Sequence, residues 1–334
     1  MRPKIGIALS GGGARGSIHI GILKRLSNEN LKIVALSGTS AGAIVSSAYA
    51  FKRLSHLERY VLSFNAAELK NLLDPSFSMG ILKGELAEQK LTQLLGRHRI
   101  EESEIHLSIV AVDILSKRDI AFRRGPLAKL VHASGAVPGI FEPVPYKKML
   151  LVDGGVLNNL PVDALPKVDI RIAVSLENSQ IDKKIGHTIL DTKQKISNRV
   201  KSLKKNYLGL LRKYETKIFE ELRTQPRLKK YFGPEVKKIQ DYLSSKGSIP
   251  PKNKRVSSVL DSNSFSRLLS ESARLYYSTF GMKQSAKPDL LIDAGKDSLS
   301  SFNPLAMSKG VEIGERYAEE YLPKIYELIE KFEN

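Results

Sequence analysis

Three short stretches of this 334-residue chain hold residues that could perform chemistry together. Residues 38–42 read Gly-Thr-Ser-Ala-Gly, the G-x-S-x-G spacing of a nucleophile elbow. A serine at its centre sits on a sharp strand-to-helix turn. The flanking glycines relieve crowding, and the helix N-terminal amides favour negative charge beside the hydroxyl. Ser40 is therefore the candidate nucleophile, with Gly38 and Gly42 as its flanks. A serine needs a base. An α/β-hydrolase orders its triad as serine, acid, histidine. Of His19, His56, His98, His106, His132 and His187, only His187 follows the candidate acid, and it lies in a lysine-rich stretch. The acid itself can be the base. Asp153, in Leu-Val-Asp-Gly-Gly at 151–155, ends an apolar run. Gly154 and Gly155 would let it approach another turn. Taken alone, Asp-Gly is an ordinary turn signal.

The third stretch, Gly-Gly-Gly-Ala-Arg-Gly at 11–16, also reads G-x-G-x-x-G through Gly11, Gly13 and Gly16. A dinucleotide site of that form needs an acidic residue at the end of the next strand to hold a ribose. Here that strand runs into Ser37, Gly38, Thr39 and Ser40. The other use of such a loop is an oxyanion hole made of backbone N–H groups. Each well-aimed donor is worth roughly 3–4 kcal/mol, and the amides of this loop are the candidates. With no cysteine and six scattered histidines, no metal site is expected, and the chemistry needs no cofactor.

These residues must be positioned by elements whose signals are regular. Apolar runs at 5–9, 32–36, 105–112, 149–152, 170–174 and 289–292 read as strands, and 18–26, 43–51 and 127–133 as helices. Strands separated by helices predict an α/β three-layer sandwich with a central, mostly parallel sheet. The glycine loop, the elbow and Asp153 all fall at strand ends, where such sheets bind ligands.

The net charge of +18 is concentrated. From 180 to 260 there are 21 Lys and Arg against seven Asp and Glu, a net of +14. From Ile196 the apolar residues recur at helical spacing through Val200, Leu203, Tyr207, Leu210, Leu211, Tyr214, Ile218 and Leu222. This pattern predicts an amphipathic helix. Residues 178–263 read as a basic, largely helical insertion into a catalytic domain made of 1–177 and 264–334. A basic amphipathic element suits an anionic membrane surface. Nucleic acid is disfavoured, because no binding motif accompanies the charge. No run of about 18 apolar residues is present, and the first apolar run is shorter than a signal-peptide core. A cytoplasmic protein, peripheral on the inner face of a membrane, is the expected setting.

Together, residues 11–16, 38–42 and 153–155 resemble the three motifs of the patatin-like phospholipase family. Residues 133–144 and 153–161 also resemble that family's flanking stretches, and residues 288–304 resemble the close of its small bacterial members. The likeness covers about 4–177 and 264–321; the 178–263 segment has no counterpart in it. It implies hydrolysis of phospholipid or other lipid acyl esters by a serine–aspartate dyad, with Ser40 as nucleophile and Asp153 as general base. It also implies that Gly11, Gly12 and Gly13 form the oxyanion loop and that Arg15 is the basic residue beside it. The same site would serve acyl transfer to a lipid alcohol or thioester cleavage. The rival from another class is a basic membrane-binding scaffold with an inert hydrolase core.

Overall fold

The computed structural model describes residues 2–72, 74, 82–138, 140–177, 286–297, 299 and 307–334. The basic segment 178–263, its amphipathic helix and His187 lie outside the described residues.

Eight strands form one sheet: β1 (Ile5–Leu9), β2 (Ile33–Thr39), β3 (His106–Asp113), β4 (Arg118–Phe122), β5 (Val144–Tyr146), β6 (Met149–Asp153), β7 (Ile170–Ser175) and β8 (Leu290–Asp293). Their order is β5-β6-β3-β2-β1-β7-β8, with β4 paired to β3. The central pairs β3/β2, β2/β1, β1/β7 and β7/β8 are parallel. The β3/β4, β3/β6 and β5/β6 pairs are antiparallel.

The registers reveal how β6 enters. β3 pairs with β2 through residues 106–110 and with β4 through residues 109–113. The overlap puts β2 and β4 on opposite edges of β3. β6 pairs with residues 111–113 of β3, which β4 also uses, so β6 shares the edge of β2. It begins where β2 stops. Val110 faces Thr39 and Ala111 faces Asp153, so the chain end of β6 arrives beside the residue that follows β2, which is Ser40.

The central strands read as apolar runs because both faces of the sheet are covered. Ile5, Ile7 and Leu9 of β1, Leu36 of β2, Leu107 and Ile109 of β3, and Ile170, Ile172 and Val174 of β7 enter the main core. That core is closed by α1 (Ser17–Ser27), α2 (Ala41–Ala50), α3 (Leu54–Ser63), α5 (Glu85–Leu95), α6 (Leu127–Ser134) and the last helix, α7 (Met307–Glu333); the short α4 (Ala66–Asn71) buries no residue. Helices α1 and α7 cross at very close range. A methyl group at Gly21 would lie 2.0 Å from the Val311 carbonyl oxygen, and one at Gly314 would lie 2.0 Å from that of Ile18. Glycine in a helix costs about 1 kcal/mol relative to alanine; here the backbones could not touch with any other residue.

The opposite face of the sheet is lined by small and hydroxyl residues. Ala8, Ala35 and Ala173 pack on Leu160, Val162 and Leu165. Ser37 Oγ donates to the Pro161 carbonyl at 2.7 Å, Ser108 Oγ to Ala164 at 2.9 Å and Thr39 Oγ1 to Asn158 at 2.9 Å. Among the described residues, the third layer is this close-lying segment, with 3-10 turns at Gly154–Val156 and Val162–Ala164. Its buried carbonyls are satisfied by the sheet's own hydroxyls.

Candidate active site

Ser40 joins β2 to α2 with φ 54 and ψ −121. A non-glycine residue at such a backbone geometry costs of order 1–3 kcal/mol, and its surroundings must hold it there. The Ser40 N–H donates to Ser134 Oγ at 2.8 Å, and Ser134 Oγ–H donates to the Val110 carbonyl at 2.5 Å. The Ser40 carbonyl accepts from the Ala43 and Ile44 amides of α2. A side chain at Gly42 would sit 2.3 Å from the Leu9 carbonyl oxygen, and one at Gly38 would sit 2.4 Å from that of Gly42. The two flanking glycines thus allow α2 to start against the end of β1. Ser40 is 8% exposed, at the rim of the core.

Asp153 ends β6 and is completely buried. Its N–H donates to the Ala136 carbonyl at 3.0 Å, which fixes the strand end. Its Oδ1 accepts from the Gly155 N–H at 2.7 Å. Its Oδ2 has no close hydrogen-bond partner among the described residues. The Ser40 side chain is within interaction range of the carboxyl and favours its charged form, as does the Gly155 N–H. Burial outweighs both and pushes the Asp153 pKa up to about 7. A methyl group at Gly154 would strike the Val110 carbonyl at 2.4 Å, so the Asp-Gly-Gly turn lies directly on β3. The sequence motif is a close-packing requirement as well as a turn.

The glycine loop lies against the same serine. A methyl group at Gly11 would come 3.2 Å from Ser40 Cβ and 2.5 Å from Asn159 Oδ1. The three glycines are not equivalent. The Gly11 N–H is committed to the Asn159 carbonyl at 3.1 Å, so Gly11 contributes space and anchorage rather than a free donor. The Gly12 and Gly13 amides have no acceptor among the described residues. Gly13 is exposed, with φ 57. Gly16 packs on Ala41, the first residue of α2; a methyl group there would lie 2.4 Å from Ala41 Cβ. Arg15, beside the loop, is 2% exposed.

No described histidine hydrogen-bonds to Ser40 or Asp153. His19 is fully buried. Burial lowers its pKa to about 4 against the opposing effect of its hydrogen bond to the Ser10 carbonyl, at 2.8 Å from Nε2. It is a neutral brace under the start of the glycine loop. His106 contacts Ser108 Oγ, His98 stacks on Phe51, and His132 pairs with Glu88.

Two supporting residues escaped the sequence reading. Ser134 holds the elbow amide. Asn159 holds Gly11 by its carbonyl and is itself held by a hydrogen bond from Nδ2 to Glu177 Oε1 at 3.1 Å. Asn158 bonds to Asp119 and Asp163, each at 2.9 Å. The adjacent asparagines after Asp-Gly-Gly were a signal of a polar, turn-rich stretch; their partners are distant in sequence.

Comparison with known proteins gives a family match over part of the chain. Residues 7–166 match the family model described as patatin-like phospholipase. Over 181 residues, the chain is 38% identical to an uncharacterized NTE family protein of Mycobacterium tuberculosis, covering 53% of this chain and 50% of that protein. Over 195 residues it is 29% identical to a patatin-like phospholipase domain-containing protein of Caenorhabditis elegans, covering 53% of this chain and 14% of that one. The chain thus spans about half the length of the first of these relatives or less. Among solved structures, that of VipD from Legionella pneumophila aligns with a TM-score of 0.42 and 16% identity, over 97% of this chain and 67% of that one. The family match and the relatives support the patatin-like phospholipase family. No described helix is long and apolar enough to cross a membrane.

Proposed function

Taking residues 7–166 as a patatin-like phospholipase domain, we propose that this chain cleaves acyl esters of phospholipids or lysophospholipids with Ser40 as nucleophile and Asp153 as its base. The observation that carries the reading is the pairing of a strained serine with a wholly buried carboxylate. Burial raises that carboxylate to about 7, and the Ser40 side chain favours its charged form. An ordinary aspartate near 4 is a feeble base for a hydroxyl; one near 7 is matched to proton transfer at neutral pH.

Ionised Asp153 takes the Ser40 proton as Oγ attacks the ester carbonyl. The tetrahedral oxyanion is received by the Gly12 and Gly13 amides, with the first amides of α2 adding their dipole. Asp153 returns the proton to the departing alcohol, leaving an acyl-serine. It then takes a proton from water, whose oxygen attacks the acyl carbon. The fatty acid leaves, and the proton passes back to Ser40 Oγ. Gly11, Asn159 and Ser134 hold the parts in place and handle no proton.

The substrate is aggregated lipid, so the reaction takes place at a bilayer, with an anionic membrane surface as the partner. Residues 1–177 and 264–334 are proposed as one catalytic domain interrupted by the basic segment 178–263, in a protein acting peripherally on the inner face of a membrane. The test is release of fatty acid from defined phospholipid vesicles, together with fluorophosphonate labelling at Ser40. Loss of both in purified Ser40→Ala is expected. Turnover by Ser40→Ala equal to the parent would refute the reading, as would acyl-chain transfer to a lipid alcohol without net fatty-acid release.

A further inference from the structure

Beyond the dyad, the sheet carries two hairpin tips whose placement has a use. The β3–β4 turn spans 114–117 and the β5–β6 turn spans 147–148. β3 runs parallel to β2, so its end points the way the chain enters Ser40. Asp113 faces Leu151 in β6, and Met149 lies two residues further out. Both tips therefore project past the level of Asp153 by about four residues, roughly 13 Å at 3.3 Å per residue. They stand side by side, because the Ile114 N–H donates to the Leu150 carbonyl at 3.0 Å.

One buried carboxylate fastens them together. Asp113, 4% exposed, accepts from the Leu115 N–H at 3.2 Å, the Ser116 N–H at 3.1 Å and the Leu150 N–H at 3.0 Å. Burial works against its charge, yet the hydrogen bonds from Ser116, Leu150 and Leu115 keep it below the usual aspartate range. The tips are thus fixed to each other.

What they present is unusual for a hairpin edge. Leu115 is 48% exposed, although its chain neighbour Ile114 belongs to a small apolar cluster with Val112, Val152 and Val156. Residues 114–118 and 146–149 contain Lys117, Arg118, Lys147 and Lys148 and no acidic residue, and all four cations are exposed. An exposed leucine with four exposed cations on the same pair of tips, at the end of the sheet that holds the proposed nucleophile, matches the surface of an anionic bilayer, with its apolar interior and negative headgroups.

We propose that the paired β3–β4 and β5–β6 tips dock the protein on an anionic phospholipid bilayer, with Leu115 inserted among the acyl chains and Lys117, Arg118, Lys147 and Lys148 on the headgroups. The inference rests on the lipid-hydrolase reading for its purpose and is independent of the basic segment for its geometry. Each cation brought to an anionic leaflet is worth about fivefold in partitioning at moderate salt. Reversing both Lys147 and Lys148 to glutamate should therefore weaken binding at least about 30-fold.

The chain contains no tryptophan, so Leu115→Trp makes a single fluorescent reporter at the tip. The full chain carrying Ser40→Ala and Leu115→Trp is mixed with phosphatidylcholine vesicles, with and without phosphatidylglycerol. Expected are a blue shift and quenching by brominated acyl chains with the anionic vesicles alone, reversed by high salt and weakened by Lys147→Glu with Lys148→Glu. A Leu62→Trp reporter on α3, at a comparably exposed site, should not respond. The proposal is overturned if the protein sediments with vesicles while the Leu115→Trp emission stays unchanged, or if it does not bind them. A shift that ignores lipid charge, or one caused by duplex DNA and not by vesicles, overturns it as well. The Ser40→Ala background makes the result independent of catalysis. Hydrolysis of a soluble short-chain ester by the wild-type chain separately decides the dyad.

Discussion

Replacing Asp153 with asparagine should abolish turnover and, at alkaline pH, make the protein more stable. The two effects have one cause. In the unfolded chain this carboxyl ionises near 3.9; buried in the fold, it holds its proton up to about 7. Between those values the folded state carries a proton that the unfolded state has lost, so stability falls as pH rises. Each unit of pKa difference is worth about 1.4 kcal/mol, and about three units give roughly 4 kcal/mol, fully expressed above pH 7 and absent below about pH 4. Asparagine keeps the size of the side chain and can still accept the Gly155 N–H through its oxygen, but it carries no charge to desolvate. The variant should match wild type near pH 4 and exceed it by about 2–4 kcal/mol at pH 8. Urea unfolding at pH 4.5, 6 and 8 on both proteins measures this difference, and every other titrating group cancels from it, including neutral His19. Hydrolysis of a soluble ester gives the second readout, where a loss of at least about 10³-fold is expected for a missing base. A variant as stable as wild type at every pH would mean that Asp153 is not desolvated as described. A variant that retains turnover would remove it from the chemistry whatever its stability.

Other consequences can be checked with the same preparations. The kcat/KM for a soluble ester should rise with pH through an apparent pKa near 7, because only ionised Asp153 can take the Ser40 proton; a profile flat from pH 5 to 9 would contradict that base. Ser40→Gly should be more stable than Ser40→Ala by about 1 kcal/mol in thermal unfolding, since glycine relieves the positive φ that alanine must keep. Ser134→Ala leaves the Ser40 amide without its 2.8 Å acceptor and should lower kcat about 10-fold or more with little change in KM, as a misaligned nucleophile would; equal losses in kcat and fluorophosphonate labelling rate would support the positioning role. Asn159→Ala should lower kcat while leaving the pH profile in place, because Asn159 holds the loop by its backbone and touches no titrating group of the dyad.

The fold was legible where local signals are strong. Short apolar runs marked β1, β2, β3, β6, β7 and β8 to within a few residues, because strands covered on both faces must be apolar throughout. β4 and β5 carried no such signal: Arg118, Asp119, Pro145 and Tyr146 belong to an edge and a hairpin whose pairing is decided by β3 and β6. The long helix α7 escaped for a different reason. Its apolar face is diluted by Gly310 and Gly314, which serve the contact with α1 and read in isolation as helix breakers. Among the described residues, the third layer also departs from a pattern of helix over sheet. It is a segment tied by Ser37, Thr39 and Ser108 to carbonyls about 56 to 124 residues away in sequence, and no local rule couples a serine in a strand to a proline carbonyl so distant.

At the site the division runs along the same line. The motifs at 38–42 and 153–155 named Ser40 and Asp153 because each motif encodes a backbone turn. What brings the two together is the shared edge of β3, whose first half pairs with β2 and whose second half pairs with β6. That arrangement puts the end of the strand that carries Asp153 beside the residue that follows β2, which is Ser40. In the proposed dyad a lone acid would do the work of a histidine–acid pair. An unperturbed imidazole titrates near neutrality, whereas a carboxylate does so only when the protein withdraws water from it. Asp153 reaches that range by complete burial beneath β3 and the Asp-Gly-Gly turn. The stability lost by burying it and the basicity gained there are two measurements of one desolvation.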